Sequence, residues 1–311
     1  MRDMITSALF NIKVIIRGIL YRLQYAFQFY SFRRSLDILT SEETIDKIIE
    51  QRCSVCRFGD GELDMITSLS IGYDESRKSN FQKFEPALAE RLQEVLRIGY
   101  NLDLNVLVCI PYVWKNSRAL RPKPRFFVQR SFVNNHKKIR DEVTADKTYG
   151  DSYFSRFYMD FKNRDKADYI KRIQKLWDAR NVCIVEGDQS RLGVGNDLFN
   201  NAAKIERVLC PAVNAYGKYN EILEEVCKLS KDKLILLALG QTATILAFDL
   251  AKRGYQAVDI GHIDVEYEWF LMGAQEKVAL PNKFVNEVDS GRCFTRETDT
   301  KYNEEIICKI N

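Results

Sequence analysis

The chain has 311 residues, enough for one large domain or two small ones around a substantial core. Its composition, 46% hydrophobic and 29% charged, is that of an ordinary globular protein, and a net charge of +4, from 47 basic residues interspersed with 43 acidic ones, argues against a nucleic-acid partner. Eight cysteines are scattered, several inside apolar runs such as those around Cys109 and Cys183, which fits reduced core thiols in a cytoplasmic protein better than a disulfide framework.

Residues 1–37 form a first unit. Charges at Arg2, Lys13, Arg17 and Arg22 interrupt its apolar run, so it offers no span of about 20 apolar residues and no signal-peptide cleavage pattern. Ile5, Leu9, Ile12, Ile16, Ile19, Leu23 and Phe27 alternate at spacings of four and three, which places them on one helical face, while Lys13, Arg17, Gln24 and Gln28 gather on another. This basic amphipathic helix can dock on an anionic membrane surface, placing the protein at the inner face of the cell membrane, or pack on its own domain or a partner subunit; both readings stay open, as does a homo-oligomer.

From residue 38 the pattern changes. A helix is expected from Ser41, with Ser41 as its N-cap and acids in its first turn. CSVCRF, NVLVCI, NVCIVE, RVLCP, LILLAL and QAVDIG each read as a strand of a buried parallel sheet, separated by the helical patterns PALAERLQEVLRIG, DKADYIKRIQKLWDAR, YGKYNEILEEVCKL and TATILAFDLAKRG. Such alternation predicts a doubly wound α/β fold. The Cys53–Cys56 pair falls in the first of these strands and is read as structural, not as a redox or zinc site. Residues 112–168 are less regular and read as an inserted helical or irregular segment.

Ligands of open α/β sheets bind beyond the carboxyl ends of the strands, and here those ends collect glycines with acidic, amide and hydroxyl residues. Asp60 and Glu62, in the turn Gly59-Asp60-Gly61-Glu62, put two carboxylates one residue apart, a hard-oxygen set suited to Mn²⁺ or Mg²⁺ on a diphosphate, with Arg57 as a phosphate contact. The bland alternative is that Asp60 caps the following helix. In 186–197, Arg191, Gly193, Gly195, Asn196 and Asp197 are expected to leave a strand and enter a helix whose N-terminus receives phosphate. Gly240 and Thr242 open another helix, as a second anion site or a simple cap, and His262 lies in a glycine turn among Asp259, Asp264, Glu266 and Glu268, where a ligand contact or proton transfer competes with a structural role.

Taken together, RFGDGEL, EGDQSRLGVGNDLF followed by RVLCPAVNAY, and ALGQTATILAFDLAKRGYQAVDIGHIDVEYEWF resemble the GT-D-type glycosyltransferases, a group formerly known as domain of unknown function 1792. The resemblance covers roughly residues 38–290, so 38–311 is read as the glycosyltransferase domain, and it says nothing about the first 35 residues. It implies a Rossmann-like sheet and metal-dependent transfer of a hexose, typically glucose from UDP-glucose, to a glycan acceptor on a protein or lipid carrier, in adhesin glycosylation or surface-polysaccharide synthesis. Asp60 and Glu62 match the metal and sugar-nucleotide acids of its DxE motif; Arg191, Asn196, Asp197, Thr242, His262 and Asp264 match later motif positions. Asp264 or Glu268 is the expected activator of the acceptor hydroxyl. The other readings are a metal-dependent phosphate-ester hydrolase and a non-catalytic, membrane-docked accessory subunit.

Overall fold

The computed structural model describes residues 2–71, 81–162, 164–285, 287–288 and 299–311. Helix α1 (Arg2–Leu23) runs through a π-helical turn, Gln24–Gln28, into α2 (Tyr30–Ser35). Then come β1 (Asp37–Ile38), α3 (Ser41–Gln51), β2 (Ser54–Arg57), α4 (Asp60–Ile71), α5 (Pro86–Leu96), β3 (Tyr100–Asn101), β4 (Val106–Ile110), α6 (Pro122–Glu142) and β5 (Thr148–Asp151). The second half holds α7 (Lys166–Gln174), β6 (Asn181–Gly187), β7 (Lys204–Cys210), α8 (Tyr219–Val226), β8 (Leu234–Ala238), α9 (Gln241–Ala251), β9 (Gln256–Asp259), α10 (Ile263–Leu271), α11 (Thr300–Glu305) and β10 (Ile306–Lys309).

The strands form one sheet in the order β1-β5-β4-β2-β9-β8-β6-β7-β10, parallel throughout except for β3, which pairs antiparallel with β4. All six strands expected from the sequence are present. Their continuous apolar runs follow from burial on both faces, because alternate residues feed opposite cores. Cys56, Val106, Val108, Cys183, Val185, Ile235 and Leu237 join one core with α4, α5, α6, α8 and α9. Val55, Leu107, Cys109, Val182, Ile184, Leu236 and Val258 join the other with α3, α7 and α10. The sheet is therefore doubly wound. Burial pushes the Cys53 thiol up to about 12 and the Cys56 thiol well above its ordinary value, so neither is a reactive thiolate at neutral pH.

Three local expectations change. The N-cap of α3 is Thr40, not Ser41: Thr40 and Glu43 form a capping box, and the Ser41 hydroxyl instead donates to Asp151 Oδ2 at 2.5 Å. Within the segment read as inserted, Thr148–Asp151 is a sheet strand between β1 and β4, and only its neighbour α6 stands off the sheet. The 186–197 segment enters no helix; it runs through turns directly into β7.

The N-terminal helices lie against α6. Gly18 faces Phe126, while Tyr25, Phe29 and Phe32 surround Phe132. The Tyr25 hydroxyl donates to the Trp114 carbonyl at 2.7 Å. The opposite face is bare: Ile12, Ile16, Ile19 and Leu23 are about half exposed and Phe27 is 77% exposed. Ile5 and Leu9 have side chains outside the described residues. No described helix is long and apolar enough to cross a membrane.

The β6–β7–β10 edge is tied by charge. Fully buried Glu186 accepts from Arg207 Nη1 at 2.7 Å and from Leu192 N at 2.8 Å, and Arg207 Nε donates to Glu305 at 2.7 Å. Removing the cation leaves a buried carboxylate uncompensated. Arg207→Leu should therefore lower the unfolding free energy by about 3–5 kcal/mol, read from urea denaturation. A loss below about 1 kcal/mol, the range of exposed pairs, would mean the pair does not act as a buried one.

Candidate active site

The carboxyl ends of β2, β4, β5, β6, β8 and β9 open onto one cleft of about 1120 Å³. It is the position that a doubly wound sheet reserves for ligands. Each strand sends in its next residues: Arg57 and Gly59 from β2, Pro111 from β4, Ser152 from β5, Gly187 from β6, Leu239 and Gly240 from β8, Gly261 and His262 from β9.

The Asp60–Glu62 turn divides its two carboxylates between tasks. Helix α4 begins at Asp60, and Glu62 Oε2 reaches back to accept the Gly59 N–H at 2.8 Å, so Glu62 is the residue that caps. Burial pushes the Glu62 carboxyl up to about 7, opposed by that hydrogen bond. Asp60 is exposed to the cleft and makes no hydrogen bond or ion pair with a described residue. Gly61 lies where a Cβ would come within 2.5 Å of Gln241 Nε2, so the first turns of α4 and α9 close on each other at the cleft floor.

Arg57 is held inside the protein. Its Nε donates to Asp259 Oδ1 at 3.2 Å and its Nη1 to the Ser152 carbonyl at 3.1 Å. Gly261, at φ +47°, gives the guanidinium its space: a Cβ there would stand 1.9 Å from Nη2. The side chain borders the cleft but is only 15% exposed. Beside it His262 packs its ring 5.3 Å from that of Phe81. Burial lowers the imidazole to about 4, despite the opposing pull of Glu287, so His262 is neutral near pH 7 and carries no spare proton to deliver. Glu287 is ion-paired with Arg156 and Lys277, both at 2.6 Å; these cations hold it well below the usual carboxylate range against a burial effect that raises it.

The structure thus brings Arg57, Gly59, Asp60, Gly61, Glu62, Gly240, His262 and Asp264 to one cleft. Asp264 faces it as a committed carboxylate: Oδ1 accepts from Gly193 N and Asn196 Nδ2, both at 2.8 Å, and Oδ2 pairs with Lys283 at 2.7 Å. Glu268 accepts from Asn196 and Lys283 as well. Arg191, Gly193, Gly195, Asn196, Asp197 and Thr242 do not border the cleft. Arg191 donates to the Asn282 carbonyl, Asp197 accepts from the Tyr267 hydroxyl, and fully buried Thr242 donates to Gln82. No helix N-terminus follows Asp197, so the loop lacks the helix expected to receive phosphate there; it is instead fastened to α10.

Residues outside the sequence motifs complete the cleft. Tyr153, Arg156 and Asp160 come from the aromatic stretch after β5, Arg121 and Lys123 from the start of α6, and Lys277 and Glu287 from beyond α10. For the first five the sequence signal is the clustering of aromatics and charges in 121–164, which does not say which way a side chain points; Lys277 and Glu287 carry no such signal. Among the described residues no group of three or more His, Cys, Asp or Glu side chains forms a metal cage.

Residues 55–288 match the family model described as the glycosyltransferase GT-D fold. A probable glycosyl transferase, Gly, of Streptococcus gordonii is 35% identical over 278 residues, 89% of this chain and 39% of that protein. Glycosyltransferase GlyD of Streptococcus pneumoniae serotype 4 is 34% identical over 270 residues, 86% of this chain and 32% of that protein. The chain therefore spans between a third and two fifths of these relatives' length. A solved structure reported under the words "the highly conserved domain of unknown function 1792 has a distinct glycosyltransferase fold" superposes with a TM-score of 0.83 at 37% identity, covering 92% of this chain and 99% of that one. A new glycosyltransferase (DUF1792) from Streptococcus sanguinis gives 0.80 at 34% identity, covering 89% and 100%.

The His262 environment gives a pH test. Its folded value, about 4, lies below the ordinary imidazole value of about 6.5, so the unfolded chain binds the extra proton between those limits. The stabilisation from a neutral His262 is complete above about 6.5 and is lost as pH falls toward 4. The thermal midpoint of the wild type should drop more steeply across this window than that of His262→Gln; parallel curves would show that the histidine titrates normally.

Proposed function

The chain belongs to the family of glycosyltransferases with the GT-D fold, and we propose that it transfers a hexose, glucose from UDP-glucose, to a glycan acceptor with the help of Mn²⁺ or Mg²⁺. Asp60 carries this reading: it is the carboxylate of the Asp60–Glu62 turn that is exposed over the cleft with no partner among the described residues. The absence of a three-ligand cage among the described residues fits a cation that arrives with its nucleotide, because Mg²⁺ takes one or two carboxylates and fills its shell with phosphate oxygens and water. Asp60 and Glu62 would hold it, and when bound it would offset the charge of the departing nucleoside diphosphate.

The chain's own residues supply position and exclusion. Arg121 and Lys123 give the cleft positive charge for a diphosphate, Arg156 being paired with Glu287, and Phe81, Trp114 and Phe127 give it apolar walls. Neutral His262 is a hydrogen-bonding group there, not an acid. The ion-paired Asp264 and Glu268 are less suited to activate an acceptor hydroxyl than their sequence positions imply, since each would first have to leave Lys283. The N-terminal helix, with its bare apolar face, supports residence at the inner surface of the cell membrane. The acceptor belongs to adhesin glycosylation or surface-polysaccharide synthesis in this reading.

Asp60→Asn and Glu62→Gln keep the shape of the turn, and the new amide oxygen at 62 can still accept the Gly59 N–H. Each should leave the thermal midpoint of the free protein nearly unchanged. Each should also abolish Mn²⁺-dependent stabilisation by UDP-glucose and lower transfer by roughly a hundredfold or more. Unaltered Mn²⁺ dependence in both variants would remove the metal assignment. Product analysis separates transfer from hydrolysis: release of sugar or phosphate with no acceptor-bound product would establish the hydrolase instead.

A further inference from the structure

A second cavity, of about 950 Å³, opens between the N-terminal helices, the 3₁₀ turn at Tyr112–Trp114 and α6. Among the described residues six cations line it, Arg22, Arg33, Arg34, Lys115, Arg118 and Arg125, and no acidic residue does. None of the six forms an ion pair with a described residue.

Two of them are fixed in place without a counter-charge. Arg33 is only 6% exposed; its Nη1 donates to the Lys115 carbonyl at 3.1 Å, its Nη2 to the Tyr25 carbonyl at 2.8 Å, and its guanidinium lies 3.8 Å over the Tyr25 ring. Its buried Nε has no hydrogen-bond partner. Arg125 spends its donors on the carbonyls of Ser117, Arg118 and Leu120. A cation buried among carbonyls and rings, with like charges around the same hollow, is unfavourable until an anion joins it. A solvated surface would let long side chains spread apart, but these converge on a concavity.

The site also has an apolar border. The row Arg22, Ala26 and Tyr30, which lines the cavity, is adjacent on the helix to the bare row Ile19, Leu23 and Phe27. A molecule with an anionic head and an apolar body matches both surfaces at once.

We infer that this cavity is a binding site for the phosphate headgroup of an anionic phospholipid, taken from the membrane surface on which the exposed face of α1 rests. Arginine forks suit phosphate oxygens, and Lys115 and Arg118 close the ring as further donors. This inference rests on the membrane reading given above but is separable from it.

The experiment uses the full chain and sedimentation with vesicles of phosphatidylcholine alone or mixed with phosphatidylglycerol. The triple variant Arg22→Gln, Lys115→Gln, Arg118→Gln removes three cations whose side chains make no hydrogen bond to a described residue. A charge-matched control, Arg130→Gln, Lys137→Gln, Arg140→Gln, removes three exposed cations of α6 that neither line the cavity nor belong to the basic face of α1. The wild type should bind the mixed vesicles in a salt-sensitive manner, and the pocket variant should bind them roughly a hundredfold more weakly, with a much smaller loss for the control. Ile16→Ser with Ile19→Ser should weaken binding to both vesicle types. If the wild type ignores all vesicles, the membrane reading and the pocket fail together. If the wild type binds and the two charge variants lose equally, general attraction accounts for binding and the headgroup site alone is overturned. Stabilisation of the wild type, but not of the pocket variant, by inorganic phosphate without any vesicle binding would overturn the lipid assignment in favour of a soluble phosphate.

Discussion

The cleft depends on one narrow junction in the sheet. Strands β2 and β9 meet at its centre and share a single register pair, Val55 with Val258, whereas β2 pairs with β4 from Ser54 to Arg57. Side chains carry the rest of the joint. Ser54 Oγ donates to the Tyr255 carbonyl and accepts from Ala257 N. At the other end Arg57 pairs with Asp259, and the Thr244 hydroxyl donates to the Arg57 carbonyl at 2.8 Å. The half-sheet β1-β5-β4-β2 is thus joined to β9-β8-β6-β7-β10 largely through α9 and this ion pair, in a place where the ladder is thinnest.

A thin joint at the centre has a functional consequence. Strands that diverge at their carboxyl ends leave room between their loops, and the cleft lies there. Arg57 cannot hold the two halves and also range freely as a phosphate ligand, because its Nε and Nη1 are occupied and Gly261 confines Nη2. The cleft-lining cations without a carboxylate partner among the described residues are Arg121 and Lys123, at the start of α6, because Arg156 and Lys277 are paired with Glu287. The junction is the frame and its neighbours are the contacts.

The sequence revealed the frame more fully than the contacts. The six central strands were legible because burial on both faces demands uninterrupted apolar runs, a purely local signal. Strand β5 was not: Thr148-Tyr149-Gly150-Asp151 is short and half polar, and its glycine is set by tertiary packing, since a Cβ there would meet Cys109 Sγ at 2.5 Å. The glycine-rich 186–197 segment reads locally as a phosphate loop. Its Asn196 and Asp197 side chains are nevertheless bound to α10, some 70 residues away, as in the Asn196–Asp264 bond with a separation of 68. Composition shows that glycines and amides are present; only the fold decides whether they face a ligand or a neighbouring helix. The Asp60–Glu62 turn shows the same limit within three residues, since spacing does not distinguish the capping carboxylate from the open one.

The N-terminal helices link the cleft to the rest of the surface. Helix α6 presents Phe127, Val128 and Ser131 to the cleft and Phe126 and Gln129 to the basic cavity, with Pro122 bordering both. The opposite anchor of α6 is Phe132, fully buried among Tyr25, Phe29, Phe32 and Trp114. Three of those four aromatics belong to the first 35 residues. Deleting that segment would therefore do more than remove an apolar face: it would expose Phe132 and release the wall that carries Arg121 and Lys123. Loss of activity in such a truncation would report on the wall as much as on a membrane. Changes at Ile16, Ile19, Arg22 or Arg118 alter neither Phe132 nor its aromatic partners, so they separate attachment of the protein from support of its cleft.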